Sequence, residues 1–288
     1  MATSRPRTML QSAMEYLMTY GWAILAIAIV MVSLYSLGIF NLGNLQPTAA
    51  PGSCQVVRTA AQTSLAGQCS NLIPKYVGQF NGASSYITMG ATGMPSGNNA
   101  RTITFWFKPS SSDTTANGVF SYGNDIGQGT YVFAWATSGQ IGLHLQTCQV
   151  NGPTYGSNLN WQFYTAVFNS GTNVVTFYLN GGNRLNYTAP CTINTNGGTV
   201  AQIGDGGFGY YNGSIADVQI YNTSLDNRTV NSLYKEGIGG APIDIRHIVG
   251  WWPLNGNAND YSGNNNQGTA TNVIWNANWQ SRYTAPTT

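Results

Sequence analysis

No charged side chain occurs between Glu15 and Arg58, and the first part of that interval reads YLMTYGWAILAIAIVMVSLYSLGIF. So much apolar surface has to leave water, in a core, a bilayer or a bundle of like helices. The run from about Leu17 to Phe40 matches the roughly 20 residues that a bilayer crossing needs. As one helix from Leu10 to Phe40 it measures about 46 Å at ~1.5 Å per residue, longer than a ~30 Å hydrocarbon core, so one end projects. It exceeds the roughly 7–15 residues of a secretory apolar region, and no small-residue cleavage site follows it. Glu15 is the only acid before Asp113, and Arg5 and Arg7 precede it.

The segment QSAMEYLMTYGWAIL, Gln11 to Leu25, resembles the class III signal peptide of archaeal type IV pilins. The resemblance implies a cut before Gln11. Residues 1–10 are then a leader, residues 11–40 the pilin-like or transmembrane helix, and Glu15 the fifth residue of the mature chain. Leu10 departs from the Gly or Ala that the family usually carries before the cut. A carboxylate near a helix N-terminus is favoured by the macrodipole, and in lipid it is expensive unless paired. The amine of a neighbouring subunit is the implied partner. Gln11 and Glu15 are therefore the expected assembly residues of a homopolymer held by its N-terminal helices and sitting in the membrane before assembly. The other reading is a plain anchor with Glu15 at the headgroups.

Beyond the helix the composition changes. Charged residues make up 7% of the chain and the net charge is +2, which gives no electrostatic reason to expect nucleic acid. Hydrophobic residues at 42%, with eight Trp, suffice for a core and argue against disorder. Four cysteines, Cys54, Cys69, Cys148 and Cys191, all follow the helix and show no CxxC metal spacing. They read as two disulfides, Cys54–Cys69 and Cys148–Cys191, out of three connectivities, with buried free thiols as the alternative. Four glycosylation sequons, at Asn186, Asn212, Asn222 and Asn227, fit the same extracellular, cell-surface setting.

Residues 41–75 have no periodicity and two prolines, and read as a neck with a small stapled loop at its base. From Tyr76 onward short alternating runs recur between Gly, Asn and Ser clusters, the pattern of a mainly β sandwich or barrel over residues 76–288. In TITFWFK, Ile103, Phe105 and Phe107 share one face and Trp106 takes the other. In SIADVQIYN, Ala216, Val218 and Ile220 are expected to face the core, with Asp217 and Gln219 outward. NVVTFYL is a strand with turns at both ends, Gly171 before it and Asn180-Gly181-Gly182 after it. One short helix interrupts, with Asp226 as N-cap, Leu225, Val230, Leu233 and Tyr234 as its apolar stripe, and Gly237 at its end.

YVGQFNGASSYITMG, TITFWFKP, NWQFYTAVFN, TFYLNGG and YNGSIADVQIYNTSLDNRTVNSLYKEG together resemble the laminin-G-like, concanavalin A-like jelly rolls of secreted proteins. That implies two packed antiparallel sheets and frequent glycan or protein binding, sometimes with calcium. VGWWPLNGNANDYSGNNNQGTATNVIW, Val249 to Trp275, resembles the strands that normally open such a domain, yet here it closes the chain. Either the domain is circularly permuted or the tail completes a neighbouring subunit. The linker of about a dozen residues after Gly237 spans up to ~40 Å when extended, which favours self-completion.

The chemistry points away from an enzyme. The chain has two Glu, Glu15 and Glu236, and no ExDxE-type strand, whereas glycoside hydrolysis uses two flanking carboxylates. His144 and His247 stand in no motif. Asp205 and Asp260, in Gly- and Asn-rich loops, are candidate Ca2+ ligands, with turn capping as the alternative role. Trp251, Trp252, Trp275 and Trp279 are expected mainly in the core, with one of the adjacent pair Trp251 and Trp252 facing away and free for an interface. The leading expectation is a filament subunit that displays a β-sandwich for adhesion. The alternative is a membrane-anchored, monomeric glycan-binding protein.

Overall fold

The computed structural model describes residues 8–36, 48–70, 73–110, 117–123, 132–137, 139–145, 148–198, 200–207 and 209–287; within these, the side chains of 8–17, 35, 132–137, 145, 148 and 183 are not described. The chain divides into two units, Met1–Pro47 and Thr48–Thr288.

The first unit holds α1 (Thr8–Ser36). From Met18 to Val32 its large apolar side chains are exposed all round, Trp22 at 69% and Ile24 at 65%. The hydroxyls of Ser33 and Ser36 fold back onto the carbonyls of Ile29 and Val32, which hides their polarity within the helix. Among the described residues no helix is long and apolar enough to cross a membrane. Gln11 and Glu15 lie on the helix, but their side chains fall outside the described set.

Among the described residues of the second unit there are nineteen strands and one helix. The strands are β1 (Thr48–Ala49), β2 (Cys54–Arg58), β3 (Thr63–Gly67), β4 (Ile73–Pro74), β5 (Val77–Asn81), β6 (Tyr86–Gly90), β7 (Arg101–Pro109), β8 (Asn117–Tyr122), β9 (Val132–Thr137), β10 (Gln140–Leu145), β11 (Cys148–Thr154), β12 (Gln162–Asn169), β13 (Val174–Leu179), β14 (Gly182–Thr188), β15 (Val200–Ile203), β16 (Asn212–Tyr221), β17 (Ile248–Trp252), β18 (Gly268–Thr271) and β19 (Ile274–Asn276); α2 (Asn227–Glu236) follows β16. One sheet runs β11-β10-β9-β8-β15-β6-β18 and the other β14-β13-β12-β7-β16-β5-β19, with β17 also on β16. Ile103, Phe105 and Phe107 of β7 enter the core between the sheets while Trp106 points to the opposite face, as the alternation requires. The turn between β13 and β14 places Asn180 and Gly181 at φ 53° and 68°, the left-handed pair that a two-residue hairpin demands.

The tail completes its own domain. β17 pairs β16, β18 pairs β6 and β19 pairs β5, so the C-terminal strands enter both sheets of the same chain. Along one edge of β16 the partner changes: β5 covers Asn212–Ile215 and β17 covers Val218–Tyr221. At the change the register slips and Asp217 adopts φ 49°.

That slip corrects part of the expected facing. Val218 and Ile220 do face the inter-sheet core, but Ala216 joins a second cluster on the outer side of its sheet. A β-bulge adds one residue and so reverses the alternation across it. Asp217 and Gln219 do not face solvent either; they are 2% and 1% exposed. The cause is a second layer. α2, the β2–β3 hairpin and the segment around Trp279 lie over that face and bury Trp106, Trp161, Trp251 and Trp279. Hence both adjacent tryptophans are buried: Trp252 in the inter-sheet core, donating to Asn266 O, and Trp251 under the outer layer. Neither is free for an interface.

The helix meets expectation. Asp226 accepts from Thr229 N at 2.8 Å, Val230 and Leu233 are buried, and Gly237 ends it at φ 78°. The neck differs. From Thr48 it belongs to the β unit: β1 pairs β4, and β2 and β3 form a hairpin closed by Cys54–Cys69. Val56 sits in the outer cluster, and Arg58 donates to the carbonyls of Ser262, Ile248 and Ile245, fastening the hairpin to the tail.

Candidate functional site

With one face of the sandwich roofed over, the other sheet offers the remaining face. Its inward side chains include Ile87, Met89, Phe120, Ile141, Leu143, Ala201 and Ile203. By alternation their neighbours point outward. Register aligns Thr269, Thr88, Gln202 and Ser121, then His144 and Gln149 beyond β9, in one row across seven strands. At ~4.8 Å per strand the row is about 29 Å long. The β9 position in this register is Phe133; the other six residues are polar and uncharged at neutral pH. Burial pushes the His144 pKa down, so its imidazole is neutral at neutral pH.

The row is open at its flanks and closed in the middle. Ser121 is buried and donates to Asp205 O. There the turn after β15, GDGGFGYY, folds against β8: Gly118 N donates to Gly209 O, and a Cβ on Gly118 would meet Gly206 N at 2.2 Å. Only glycine permits that approach. The turn brings Tyr210 beside Tyr86, ring centroids 6.2 Å apart, both half-buried. Tyr86 is two residues from Thr88 on the same outward side. Thr88, Gln202 and Thr269 make no side-chain hydrogen bond among the described residues. The result is a patch in which two aromatic rings border free hydroxyl and amide groups.

The sequence-derived candidates are distributed differently. Asp205 lies in this turn and its Oδ1 accepts from Gly207 N, capping its own turn. Asp260 is 7% exposed; Oδ1 accepts from Trp251 N and Ser262 N, and Oδ2 from Ser262 Oγ and Asn266 N. These four donors occupy the acceptor positions of a carboxylate, which is a structural role and leaves nothing for a cation. Among the described residues no three His, Cys, Asp or Glu side chains converge. Cys54 and Cys69 are bonded as expected; Cys191 is disulfide-bonded, and the Cys148 side chain lies outside the described set. Asn186, Asn222 and Asn227 are exposed and Asn212 half-buried. His247 pairs with Asp244 at 2.8 Å in the linker after α2, away from the row. The tryptophans of the tail are core, with Trp275 partly buried against it, and the aromatic rings beside the row are Tyr86 and Tyr210. Tyr86 was legible only as a member of an alternating strand, and nothing local marks Tyr210.

A cleft between the stapled hairpin and the tail, lined by Cys54, Gln68, Trp251 and Asn255 among others, holds about 30 Å3. That is room for about one water and too small for a sugar ring.

Two packed antiparallel sheets with this strand order define a concanavalin A-like sandwich. Residues 81–231 match the concanavalin A-like lectin/glucanases superfamily, laminin G type 3, and the chain belongs to that family. No curated protein matches the chain. Among solved structures, a Bacteroides ovatus protein assigned to carbohydrate binding superposes with a TM-score of 0.54 at 12% identity, covering 76% of this chain and 65% of that one. The carbohydrate-binding module (CBM40) of a Ruminococcus gnavus sialidase gives 0.43 at 13% identity over 56% of this chain and 99% of its own. A pentraxin of Limulus polyphemus gives 0.45 at 14%, over 69% and 94%. The first of these likenesses shows the fold; at such identities none shows more.

Proposed function

We propose that the β unit is an extracellular glycan-binding module. The observation that carries this reading is the outward row of uncharged polar groups, with Thr88, Gln202 and Thr269 unpartnered beside the Tyr86–Tyr210 pair. Sugars present hydroxyls to hydrogen-bonding groups and C–H faces to rings, and this patch supplies both. The family and the carbohydrate-binding assignment of the Bacteroides relative agree with it. The cystine bridge fits an oxidising, extracellular setting. A glycan array probed with the full chain in detergent tests the reading. Binding should weaken at least several-fold in Tyr86→Ala and Gln202→Ala; unchanged binding in both would place the site elsewhere.

The second part of the proposal is that α1 assembles. An apolar helix exposed all round has no stable place in water. A bundle of like helices, reached through the membrane, satisfies it, and Ala23, Ala26, Ala28 and Gly21 let backbones approach. The protein is then a type IV pilin-like subunit that displays the module for adhesion, with Gln11 as the mature N-terminus and Glu15 as the assembly contact. Glu15→Ala should remain in the membrane but fail to form filaments; normal filament yield in sheared cell-surface material would sink this reading. Membrane insertion with monomeric glycan binding would favour the anchored alternative.

A further inference from the structure

Lys108 and Arg282 stand together at one end of the roofed sheet, away from the polar row. Lys108 is the last outward residue of β7, opposite Ser214. Its ammonium lies 5.8 Å from the centre of the Trp161 ring. Trp161 is itself fixed: its indole donates to Trp279 O, and its backbone N–H donates to Arg282 O at 3.2 Å. The same hydrogen bond brings the Arg282 backbone to the same spot. Arg282 is exposed and held at φ 65°, a conformation that a long side chain adopts only under constraint.

Neither cation makes an ion pair among the described residues; the single ion pair there is His247 with Asp244. The two repel, and with burial as the larger cause Lys108 is pushed below the usual lysine range. Several other basic groups in the β unit have polar partners, while Lys235 and Arg246 are exposed and stand apart from this cluster in sequence. Arg58 donates to three carbonyls, Arg101 to Tyr122, Thr195 and nearby backbone, Arg184 to Asn186, and Arg228 sits by Asp226. In a chain with only 11 Lys and Arg, what distinguishes these two is that both are brought to one fixed indole, Lys108 by its ammonium and Arg282 by its backbone.

The geometry points to a second subsite, in which Lys108 and Arg282 take the acid group of an anionic saccharide, a uronate carboxylate or a sulfate ester. Trp161 serves as the prop that holds Lys108 in place. A guanidinium beside an ammonium gives charge-assisted hydrogen bonds to either oxyanion. The inference rests on the glycan-binding reading and adds the charge of the ligand.

Calorimetric titration of the full chain in detergent, with an oligogalacturonate, a chondroitin sulfate oligosaccharide and a neutral oligosaccharide of similar length, tests it. Expected is binding of at least one acidic probe that weakens on the order of tenfold in Lys108→Gln and in Arg282→Gln and falls with added salt, while neutral binding is unchanged in both. The preferred acidic probe separates carboxylate from sulfate. Acidic binding that both variants leave intact overturns the subsite. Neutral binding with no acidic binding overturns it too and leaves the polar row standing. Acidic binding that needs Lys108 and Arg282, without neutral binding, keeps the subsite and removes the row. No binding of any probe removes both.

Discussion

Trp251 donates its indole N–H to Oδ1 of Asp217 at 2.8 Å, in the interior of the outer layer. Gln219 Nε2 donates to both carboxylate oxygens at 3.0 Å, and Gln219 Oε1 accepts from the Tyr221 hydroxyl. The four residues join β16 to β17, so a buried acid ties the displaced tail to the centre of its sheet.

That acid makes stability depend on pH. Burial raises the Asp217 pKa from 3.8 to about 7, partly opposed by the bonds from Gln219 and Trp251. Between those values the folded state holds a proton that the unfolded chain releases. The contribution is therefore most favourable below about pH 4, is lost as pH rises through about 7, and is flat above, a span of roughly 4 kcal/mol at ~1.36 per unit. Asp217→Asn, which tolerates the positive φ, should flatten this slope. Thermal melts of both proteins across that range measure it, and equal slopes would falsify the assignment.

Removing the tail should be ruinous. Deletion after Ile248 takes away most of β17 and all of β18 and β19, and leaves one edge of β5, one edge of β6 and the Val218–Tyr221 stretch of one β16 edge unpaired. Open edges of that length invite pairing with other chains. The expected outcome is insoluble protein where the full chain is recoverable. A soluble, cooperatively melting product would show that the tail is dispensable.

The staple matters less. Cys54 and Cys69 are 15 residues apart in sequence, and replacing both with Ser should lose roughly 3 kcal/mol by freeing the unfolded chain. Chemical denaturation reads this directly. Alkylation of the unreduced, denatured protein should label no thiol; four labelled cysteines would contradict the oxidised state.

Two hydroxyls offer a gain. Thr104 and Thr165 face each other across β7 and β12, both fully buried, and neither Oγ1 has a hydrogen-bond partner among the described residues. Valine keeps the shape and removes the unpaired group. Thr165→Val is expected to stabilise by about 1 kcal/mol; a lower melting temperature would mean that the hydroxyl has a partner after all.

Much of the fold was present in local pattern. Alternation put Ile103, Phe105 and Phe107 on one side of β7 and Trp106 on the other, because a strand's side chains have a period of two whatever surrounds it. Asp226, Val230, Leu233 and Gly237 specified α2 by cap, stripe and stop, which are neighbours in sequence. The even cysteine count gave Cys54–Cys69, and the charge-free N-terminal run gave a helix. Alternation does not say whether the outward side meets water. Asp217, Gln219 and Trp251 are buried because segments distant in sequence, the β2–β3 hairpin with Val56 and the stretch around Trp279, fold over them. The bulge at Asp217 arises where β16 exchanges one partner for another, an event set by tertiary pairing. The candidate sites share that origin. Tyr86 meets Tyr210, and Lys108 and the Arg282 backbone meet Trp161, only when distant turns and ends are brought together, and the free energy that does so lies in packing the two sheets and their outer layer.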